Sequence, residues 1–478
     1  MKRIAGLIGV VAAVAALLLS SCKKDETGTF VLDKSAVYLV QGQSVTVAFT
    51  SSHIGSISVT SCPEGWDDPV IDVPAHTITV TAPSEIEDDT ELTGTITFSG
   101  KVNGGSTVTA TLFVGMVGTE DLTSKAANSY LINKKDTRYL IDGMVRGDGS
   151  ALQTASVDII WQSKSSLIQY LDFENGKVSF YVAADDDTTD IKLGNALIGA
   201  YGADGELLWS WHLWVADYDP DAEGGTVDFN GYTMMTRNLG ALAADNSSTD
   251  DILASFGLFY QWGRKDPFIG PSSYQASSGS SAAMYNASGS RVYMAVEASS
   301  AETGTEEYAA RNPLTYITGV AESEYDWRWG SRSDALWSAD GKTLQDPCPY
   351  GWRVAPAAAY AGLEIVGTPA VEDAEKYAWT LGKDGAESLF FGAGRRRYDD
   401  SKVQNIYIPL TDLEQAGLMT RADDAQPWEG LYWTAETSSS DAAAFHFWFE
   451  KSTSTGGVLH AESYMRANGM SLRCVRAD

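Results

Sequence analysis

The chain of 478 residues carries 63 acidic and 34 basic side chains, a formal net charge of −29 at pH 7. A surface this acidic repels nucleic acid and anionic lipid headgroups. This argues against nucleic acid as a partner and against membrane binding by surface charge. The length is sufficient for roughly three domains, and alternating segments rich in threonine and valine predict a mainly β, multidomain protein.

Residues 1–21 are predicted to form a signal peptide. A short basic start precedes an uncharged run from Ile4 to Leu19, which is too short for a typical spanning helix. The small residues directly before Cys22 resemble the lipobox of bacterial lipoproteins, in which that cysteine receives the lipid. An ordinary secretory signal beside an incidental cysteine is the alternative. A lipid with more than one acyl chain anchors a protein stably to a membrane.

Residues 22–28 are predicted to be a tether behind the lipidated cysteine. Lys24 is followed by Asp25 and Glu26, a pattern similar to the export signal of Bacteroidetes surface lipoproteins. A solvated tether without an export role is the alternative. Together with the lipobox, the pattern predicts a lipid-anchored protein of the outer membrane, exposed at the cell surface.

Residues 29–118 are predicted to form a β-sandwich. Five segments alternate between apolar and polar residues, with Gly, Pro, Asn and Asp between them: 45–49, 56–60, 77–81, 93–98 and 107–113. The stretches LTGTITFSG and STVTATLFVG resemble the closing strands of BACON or other bacterial Ig-like modules. The resemblance implies a spacer or an accessory binding unit. Cys62 has no evident partner here, and we interpret it as a small buried hydrophobe.

Residues 119–220 are predicted to form a second β-sandwich. Its last strand contains Trp209, Trp211 and Trp214, which do not all fall on one face, so both faces of that strand are expected to be covered. A tryptophan cluster can stack against sugars, but burial in a core is the more common role and is favoured here. His212 in the same strand is interpreted as a structural histidine.

An acidic trio at Asp217, Asp219 and Asp221 has the spacing of a calcium loop. A helix-loop-helix calcium site requires glycine at the sixth position and glutamate at the twelfth, and these positions hold Ala222 and Asp228. The turn at 185–190 is interpreted as solvated. No metal site is predicted.

Residues 221–478 are predicted to form an α+β domain with long loops. Thr249, Asp250 and Asp251 suit the start of a short helix, predicted over Ser248 to Trp262. Residues 272–290 are rich in Ser, Ala and Gly and predict a surface loop of the kind that carries binding sites.

An aromatic cluster over residues 325–330 contains Trp327 and Trp329 beside Asp and Arg. Flat aromatic faces for sugar C–H groups, next to hydrogen-bonding side chains, suit a carbohydrate site. Aromatics that anchor an irregular loop are the alternative, and general burial tendencies favour it. Further along, Arg395 and Arg397 belong to an arginine triplet. These arginines are candidates to bind a carboxylate or sulfate, or to pair with the acidic surface.

The C-terminal stretch supplies the strongest strand pattern. Phenylalanine occupies alternate positions at Phe445, Phe447 and Phe449, a turn-rich segment follows, and the chain returns through residues 471–476. Residues 346–354 are the expected companion of this stretch. Each of the two blocks holds one cysteine, which suggests a covalent link between them.

Four motifs resemble the Fibrobacter succinogenes major paralogous domain family. They are TMMTRNLGA at 233–241, GLFYQWGRKDPF at 257–268, DPCPYGWRVAP at 346–356, and GLYWTAE followed by NGMSLRCVRAD at 430–436 and 468–478. The resemblance covers about the last half of the chain. It implies a C-type-lectin-like fold related to formylglycine-generating enzymes, a surface location, and a disulfide between Cys348 and Cys474.

Catalysis is not expected. Formylglycine-generating enzymes use a copper-binding cysteine pair, and a pair locked in a disulfide is not free for that chemistry. The chain contains no G-x-S-x-G, H-E-x-x-H, C-x-x-C or P-loop motif. His446 and His460 can approach each other across the final hairpin, but no third ligand or base is evident. We therefore predict no catalytic residue and no cofactor.

Two functions remain. The first is a surface-anchored binding or adhesion protein whose C-terminal domain takes a glycan or a protein ligand, with Trp327, Trp329, Arg395 and Arg397 as candidate contacts. The second is the tip or anchor subunit of a fimbria-like assembly. The sequence contains no arginine between Arg3 and Arg138, which argues against a shaft pilin matured by cleavage after arginine.

Overall fold

A computed structural model describes residues 27–477 except 104, 186, 187, 189, 271–283, 331, 368–377, 407–418, 422–427, 440 and 451–454. Strands account for 47% of residues and helices for 5%, which confirms the mainly β class predicted from the sequence. The predicted signal peptide, Cys22 and most of the tether lie outside the described residues. In the described part, no helix has the length and apolar character needed to cross a membrane.

The chain forms two compact units. The first comprises residues up to Glu120 with Asp136–Tyr139, and the second comprises Asp121–Lys135 and Leu140–Asp478. The first unit contains two four-stranded sheets, ordered β1-β3-β6-β5 and β2-β8-β7-β4. The strands are β1 (Thr29–Leu32), β2 (Ala36–Tyr38), β3 (Ser44–Ser52), β4 (Ile54–Ser61), β5 (Val70–Asp72), β6 (Thr77–Thr81), β7 (Thr93–Val102) and β8 (Thr107–Gly115).

Alternation explains why the two sheets share one core. Val47 of β3, Ile78 of β6, Phe98 of β7 and Leu112 of β8 are buried in a single cluster, while polar residues at the intervening positions face outward. Cys62 packs beside this cluster, and burial together with Asp68 and Asp67 raises the pKa of its thiol to about 11. A thiol held protonated in this way is a poor nucleophile.

Between residues 118 and 215 the chain forms two further four-stranded sheets, ordered β10-β16-β15-β12 and β13-β14-β11-β9. The strands are β9 (Gly118–Asp121), β10 (Ser129–Ile132), β11 (Thr137–Asp142), β12 (Ser156–Gln162), β13 (Gln169–Glu174), β14 (Lys177–Val182), β15 (Gly194–Tyr201) and β16 (Leu207–Val215).

Strand β16 is buried on both faces. Trp209, Trp211 and Trp214 are each at most 3% exposed, so the tryptophan cluster is core, as the sequence favoured. The ring nitrogens of His212 lie 3.2 Å from the hydroxyl of Ser129 and 2.9 Å from the side-chain oxygen of Asn195. Complete burial lowers the pKa of His212 to about 3, so this histidine is neutral and structural.

The remainder of the second unit consists of short strands, long loops and three helices. Its sheets are ordered β17-β18-β33-β22, β19-β32-β26-β27-β28, β29-β30-β31, β23-β24-β25 and β20-β21. The elements are β17 (Thr226–Phe229), β18 (Tyr232–Met235), α1 (Thr249–Ser255), β19 (Tyr260–Gln261), β20 (Ala295–Ala298), α2 (Glu306–Arg311), β21 (Thr315–Thr318), β22 (Trp352–Val354), α3 (Ala357–Tyr360), β23 (Glu364–Ile365), β24 (Ala378–Lys383), β25 (Ala386–Phe391), β26 (Arg395–Arg396), β27 (Val403–Ile406), β28 (Met419–Arg421), β29 (Trp428–Ser438), β30 (Asp441–Glu450), β31 (Thr455–Tyr464), β32 (Gly469–Met470) and β33 (Cys474–Arg476).

Helix α1 is shorter than predicted. Ser248 caps its N-terminus by accepting a hydrogen bond from Asp251 N, as the acidic first turn indicated, but the helix ends at Ser255 rather than near Trp262. Gly257 has a φ of +73°, which ends a helix, and Tyr260–Gln261 then pairs as strand β19 with β32. Sheet pairing therefore overrides the helical pattern beyond residue 256.

The alternating phenylalanines form the expected buried face. Phe445, Phe447 and Phe449 of β30 are fully buried in one cluster. Strand β30 returns through β31, whereas β33 lies in a different sheet, so residues 471–476 are not the second strand of that hairpin. Strands β30 and β31 are each ten residues long, so β31 completes the hairpin before the chain reaches β33.

The predicted pairing of the two cysteine-containing blocks is confirmed. Strand β33 pairs antiparallel with β22, with Val354 opposite Cys474, and a disulfide joins Cys348 to Cys474. Strand β18 pairs on the other side of β33 through Met234 and Val475. The last strand of the chain is thus held between two strands and by a covalent bond.

The second unit has a core that spans the predicted boundary between residues 220 and 221. Trp161, Trp214, Trp262 and Cys474 belong to the same buried cluster. Hydrogen bonds also join residues on the two sides of this predicted boundary. Asn128 donates to the carbonyl oxygens of Leu344 and Asp346. The hydroxyl of Ser210 donates to Asp266, 2.6 Å away. The division into domains at this point stays a prediction from the sequence.

The disulfide is expected to contribute substantially to stability. It closes a loop with a sequence separation of 126 residues, and restricting the unfolded chain by a loop of this size stabilises a domain by about 2–5 kcal/mol. Replacing both Cys348 and Cys474 by alanine should lower the free energy of unfolding of the second unit by this amount in denaturant titrations. Cys62→Ala in the first unit is the matched control. An unchanged midpoint for the double variant would contradict the expectation.

Candidate functional site

The loop that follows β21 exposes two aromatic rings. Residues 319–330 form this segment, here called the aromatic loop, and they carry Tyr325, Trp327 and Trp329 at alternate positions. Tyr325 and Trp329 are each 37% exposed, whereas Trp327 is 1% exposed. The loop therefore presents two rings to solvent and buries the one between them.

Trp327 belongs to the core. Its indole N–H donates to the carbonyl oxygen of Trp262 at 2.8 Å, and the guanidinium of Arg264 lies 5.7 Å from its ring centroid. Both interactions need the ring to point inward, away from solvent. Its faces are closed to a ligand, so Trp327 leaves the set of candidate contacts.

Local geometry turns Tyr325 outward. A 3₁₀ turn covers Ala321–Ser323, and Glu324 and Tyr325 then adopt left-handed backbone angles, with φ values of 52° and 60°. A Cβ at Gly319 would collide with the backbone of Tyr325, so glycine permits this close approach. Left-handed angles at residues other than glycine are costly, so the contacts of this turn must hold them in place.

Tyr325 rests on Tyr398. Their ring centroids are 5.2 Å apart in an edge-to-face arrangement, and Gly319 N donates to the carbonyl oxygen of Tyr398. Tyr325 belongs to the aromatic cluster over residues 325–330 but was not among the predicted contacts. Tyr398 lies far along the chain, so no local pattern reveals the pair.

Trp329 is fixed through its backbone while its ring stays accessible. Its N–H donates to the carbonyl oxygen of Gly304 at 2.8 Å, and a Cβ on Gly304 would approach the Trp329 Cβ to 2.7 Å. The neighbouring Arg328 pairs with Glu306 at 3.1 Å. Among the tryptophans whose side chains the structure describes, only Trp329 is exposed.

A buried carboxylate holds the base of the aromatic loop. Asp326 is 2% exposed, and its Oδ1 accepts a hydrogen bond from Arg328 N at 3.0 Å. Burial raises the pKa of Asp326, while this hydrogen bond and the charges of Arg466, Arg332 and Arg328 act in the opposite direction. Three arginines therefore lie close enough to balance the buried carboxylate.

Arg332 connects the aromatic loop to Asp441, the first residue of β30. Its Nη2 lies 3.0 Å from a carboxylate oxygen of Glu324 and 3.9 Å from Oδ1 of Asp441. The side chains of Glu324 and Asp441 are partly or largely accessible. Groups that donate and accept hydrogen bonds therefore lie on and next to the loop that carries the exposed rings.

The arginine triplet divides between structure and surface. Arg396 is fully buried and donates to the carbonyl oxygens of Ile269 and Ser401. Arg397 donates from Nε to Asp399 at 2.7 Å, so this candidate contact is engaged within its own turn. The guanidinium of Arg395 lies 5.2 Å from the ring centroid of Tyr464. Arg395 therefore stays a candidate contact, separate from the aromatic loop.

A second group of ionisable side chains surrounds His446 on the sheet of β29, β30 and β31. Its Nδ1 lies 2.6 Å from Oε2 of Glu462, and its Nε2 lies 3.3 Å from Oε1 of Glu429. Tyr464 donates to the same oxygen of Glu462 at 2.6 Å. Burial alone lowers the pKa of His446, but hydrogen bonds and charge from Glu429 and Glu462 outweigh burial and raise it.

The two histidines of the final hairpin lie on opposite faces. His460 donates from Nε2 to the carbonyl oxygen of Leu363, and its ring is 6.2 Å from that of Phe445. His446 instead contacts the glutamates on the other face. His446 and His460 therefore do not approach each other, contrary to what the sequence allowed. His446 is paired with Leu459, and the side chain of the next residue, His460, points to the other face of the sheet.

The acidic trio forms local contacts. Oδ1 of Asp219 accepts a hydrogen bond from Asp221 N, and Asp221 pairs with Arg476. The described residues contain no group of three His, Cys, Asp or Glu side chains arranged to hold a metal ion. The absence of a metal site stays a prediction.

No family model and no curated protein matches the chain. An I-band fragment of titin is 15% identical over 39% of this chain and 64% of that fragment, with a TM-score of 0.14. Bacteroides ovatus SGBP-B, from a mixed-linkage glucan utilization locus and solved with a mixed-linkage heptasaccharide, is 12% identical over 38% of this chain and 43% of that chain, with a TM-score of 0.13. The EC1-3 fragment of mouse clustered PcdhgC3 is 12% identical over 39% and 67%, with a TM-score of 0.15. The chain thus spans less than two thirds of the titin fragment, and similarity this low identifies neither a family nor a function.

The His446 cluster should make stability depend on pH. The raised pKa of His446 gives a contribution that is complete below its ordinary value of about 6.5 and is lost as pH rises through the folded value. The pKa of Glu462 is lowered, first by its hydrogen bond with His446, so its contribution is complete above about 4.5 and is lost as pH falls through the folded value. The stabilisation should therefore be greatest between about pH 4.5 and 6.5.

The measurement is the free energy of unfolding of the chain and of His446→Gln across this range. The difference in free energy of unfolding between the two proteins should be largest between about pH 4.5 and 6.5 and should shrink at higher pH. Groups that titrate alike in both proteins cancel from this difference. A difference that stays constant from pH 5 to pH 9 would show that folding does not shift the pKa of His446, and it would contradict the raised value.

Proposed function

We propose that this chain is a cell-surface lipoprotein that binds carbohydrate through the aromatic loop of its C-terminal domain. One observation carries the proposal: Trp329 is exposed in a protein whose other described tryptophans are buried or partly buried. At 37% exposure Trp329 forgoes part of the hydrophobic stabilisation that full burial would give, so the accessible part of its indole needs another explanation. Stacking against the apolar face of a sugar ring provides one.

The surroundings of the rings suit hydroxyl-rich ligands. Glu324 directly precedes Tyr325 and pairs with Arg332, and Arg328 directly precedes Trp329 and pairs with Glu306. Carboxylate and guanidinium groups form strong, directional hydrogen bonds with hydroxyls. Sites that take small ligands combine apolar surface with a few placed polar groups in this way. The backbone on which the rings sit is fixed by hydrogen bonds, which reduces the entropy cost of binding.

In this proposal the C-terminal domain is a C-type-lectin-like member of the Fibrobacter succinogenes major paralogous domain family. Support comes from the pairing of its two cysteine-containing motifs, through β22, β33 and the Cys348–Cys474 disulfide. Long loops on a β framework are also what such a domain uses to bind. The chain is not proposed to be an enzyme, since the cysteine pair that a formylglycine-generating enzyme would need is oxidised here.

The glycan proposal depends on Trp329. In the full mature chain made soluble by Cys22→Ala, Trp329→Ala should abolish saturable binding to the glycans that score on an array, a loss of at least about ten-fold in affinity. Tyr350→Ala is the matched control, because Tyr350 is also exposed but lies in the turn before β22. Circular dichroism establishes that each variant is folded.

If the folded, disulfide-bonded chain bound no glycan on a broad array, the glycan proposal would be wrong. A protein ligand, or a tip or anchor role in a fimbria-like assembly, would then be the better explanation of the exposed rings. Equal loss of binding in the Tyr350→Ala control would show that the aromatic loop is not the site.

The surface location depends on Cys22. Expression in a bacterium with lipoprotein processing, in the presence of an alkyne-tagged fatty acid, should label the chain and place it in the outer-membrane fraction. Cys22→Ala should remove both the label and the membrane association, because two or three acyl chains supply the anchor. Cys62→Ala is the control. Labelling that persists in Cys22→Ala would overturn the lipoprotein proposal.

A further inference from the structure

We propose that the bound carbohydrate is a linear oligosaccharide that runs from the aromatic loop, across Arg332, into a second cleft beside Trp337. This inference rests on the proposed carbohydrate function and names the ligand class. It predicts two contact zones on one surface rather than a single pocket for one sugar.

The second zone is an open cleft of about 610 Å³, here called the Trp337 cleft. Its lining includes Asp334, Ala335, Trp337, Ser338, Glu436 and Thr437. Trp337 is 1% exposed, so the cleft offers hydroxyl and carboxylate groups and small apolar side chains rather than an accessible aromatic face. The cleft is wide and shallow, so it can hold part of an extended ligand but cannot enclose a compact one.

The walls of the cleft are held firmly. The indole N–H of Trp337 donates to the carbonyl oxygen of Gln345 at 2.8 Å, which fixes the loop on one side. On the other side, Glu436 accepts a hydrogen bond from Ala357 N at 2.7 Å, at the start of α3. A preformed cleft binds a flexible chain at a lower entropy cost than a mobile one.

A row of charged groups connects the two zones. Arg332 contacts Glu324 beside Tyr325 and also Asp441. Arg466 is buried and donates to the carbonyl oxygens of Asp441 at 3.2 Å and of Ser333 at 3.0 Å. It also pairs with Asp334, which lines the cleft. These contacts place the aromatic loop and the Trp337 cleft on either side of one ionic network.

The accessible groups between the zones alternate in sign and are mainly acidic. The side chains of Glu324 and Asp334 are 72% and 66% exposed, whereas that of Arg332 is 16% exposed. An uncharged chain of hydroxyl-bearing units can accept and donate along this row without charge repulsion. An anionic polymer would meet exposed carboxylates at both ends.

The test compares ligands of one sugar composition and increasing length, from monosaccharide to hexasaccharide, chosen from the array hits. Calorimetry on the full mature chain carrying Cys22→Ala should show affinity that rises at least about ten-fold with length and then levels off. Ala335→Trp places a large side chain at an exposed position of the cleft and should reduce the ratio of long-chain to short-chain affinity to about one. Ser338→Trp is a second blocking variant, and Tyr350→Ala is the control that should keep the ratio.

The outcomes separate this inference from the function on which it rests. Binding that is independent of length in the unmodified chain would overturn the oligosaccharide inference and leave the glycan function standing. A length dependence that survives both blocking variants would place the second zone elsewhere and overturn the role of the Trp337 cleft. Failure to bind any glycan would overturn the proposed function and this inference together.

Discussion

The second unit depends on the contacts of the segment from Gly469 to Arg476, which contains strands β32 and β33. Strand β32 pairs with β19 and β26, Ser471 bridges to Tyr432, and β33 lies between β18 and β22. Arg473 is fully buried between these strands, where its guanidinium lies 3.7 Å from the ring centroid of Phe390 and donates to Asn238 and Ser388. Elements from the start, middle and end of the domain thus meet at one segment. Folding of this unit can be completed only after that segment is available, because most of its pairings join distant parts of the sequence.

The candidate binding surface is attached to this framework by Arg466, a buried residue close before Gly469 in the sequence. Arg466 is 2% exposed, and the face of the Trp262 ring lies 4.7 Å from its guanidinium. The same guanidinium contacts Ser333, Asp334 and Asp441 at the start of β30. One buried cation therefore fixes loops that have little regular structure of their own. Such loops hold a precise shape only when buried polar groups and close packing over-determine it, as the left-handed Tyr325 illustrates.

Periodicity predicted the parts of the fold that are set by burial of alternate residues. The phenylalanines of β30, the two-sided burial of β16 and the partnership of the two cysteine-containing blocks follow from patterns of a few residues. The conformation of the aromatic loop does not follow from such patterns. Trp327 and Trp329 differ by two positions and have similar neighbours, yet one is buried and one is exposed, because the distant Trp262 and Gly304 decide the direction of each ring. The placement of His446 and His460 on opposite faces depends on a register shift between Ala444 and His446, which pairs His446 with Leu459, and no sequence pattern specifies that shift.

The distribution of charge also follows from the packing. Arg264, Lys265, Arg353, Arg396, Arg466 and Arg473 are all buried, where they stack on aromatic rings, donate to backbone carbonyls or pair with Asp266 and Asp334. Cations used in this way are removed from the surface of a chain that already carries a formal charge of −29. The surface that remains is more acidic than the composition alone suggests, and long-range attraction to anionic partners is correspondingly weak.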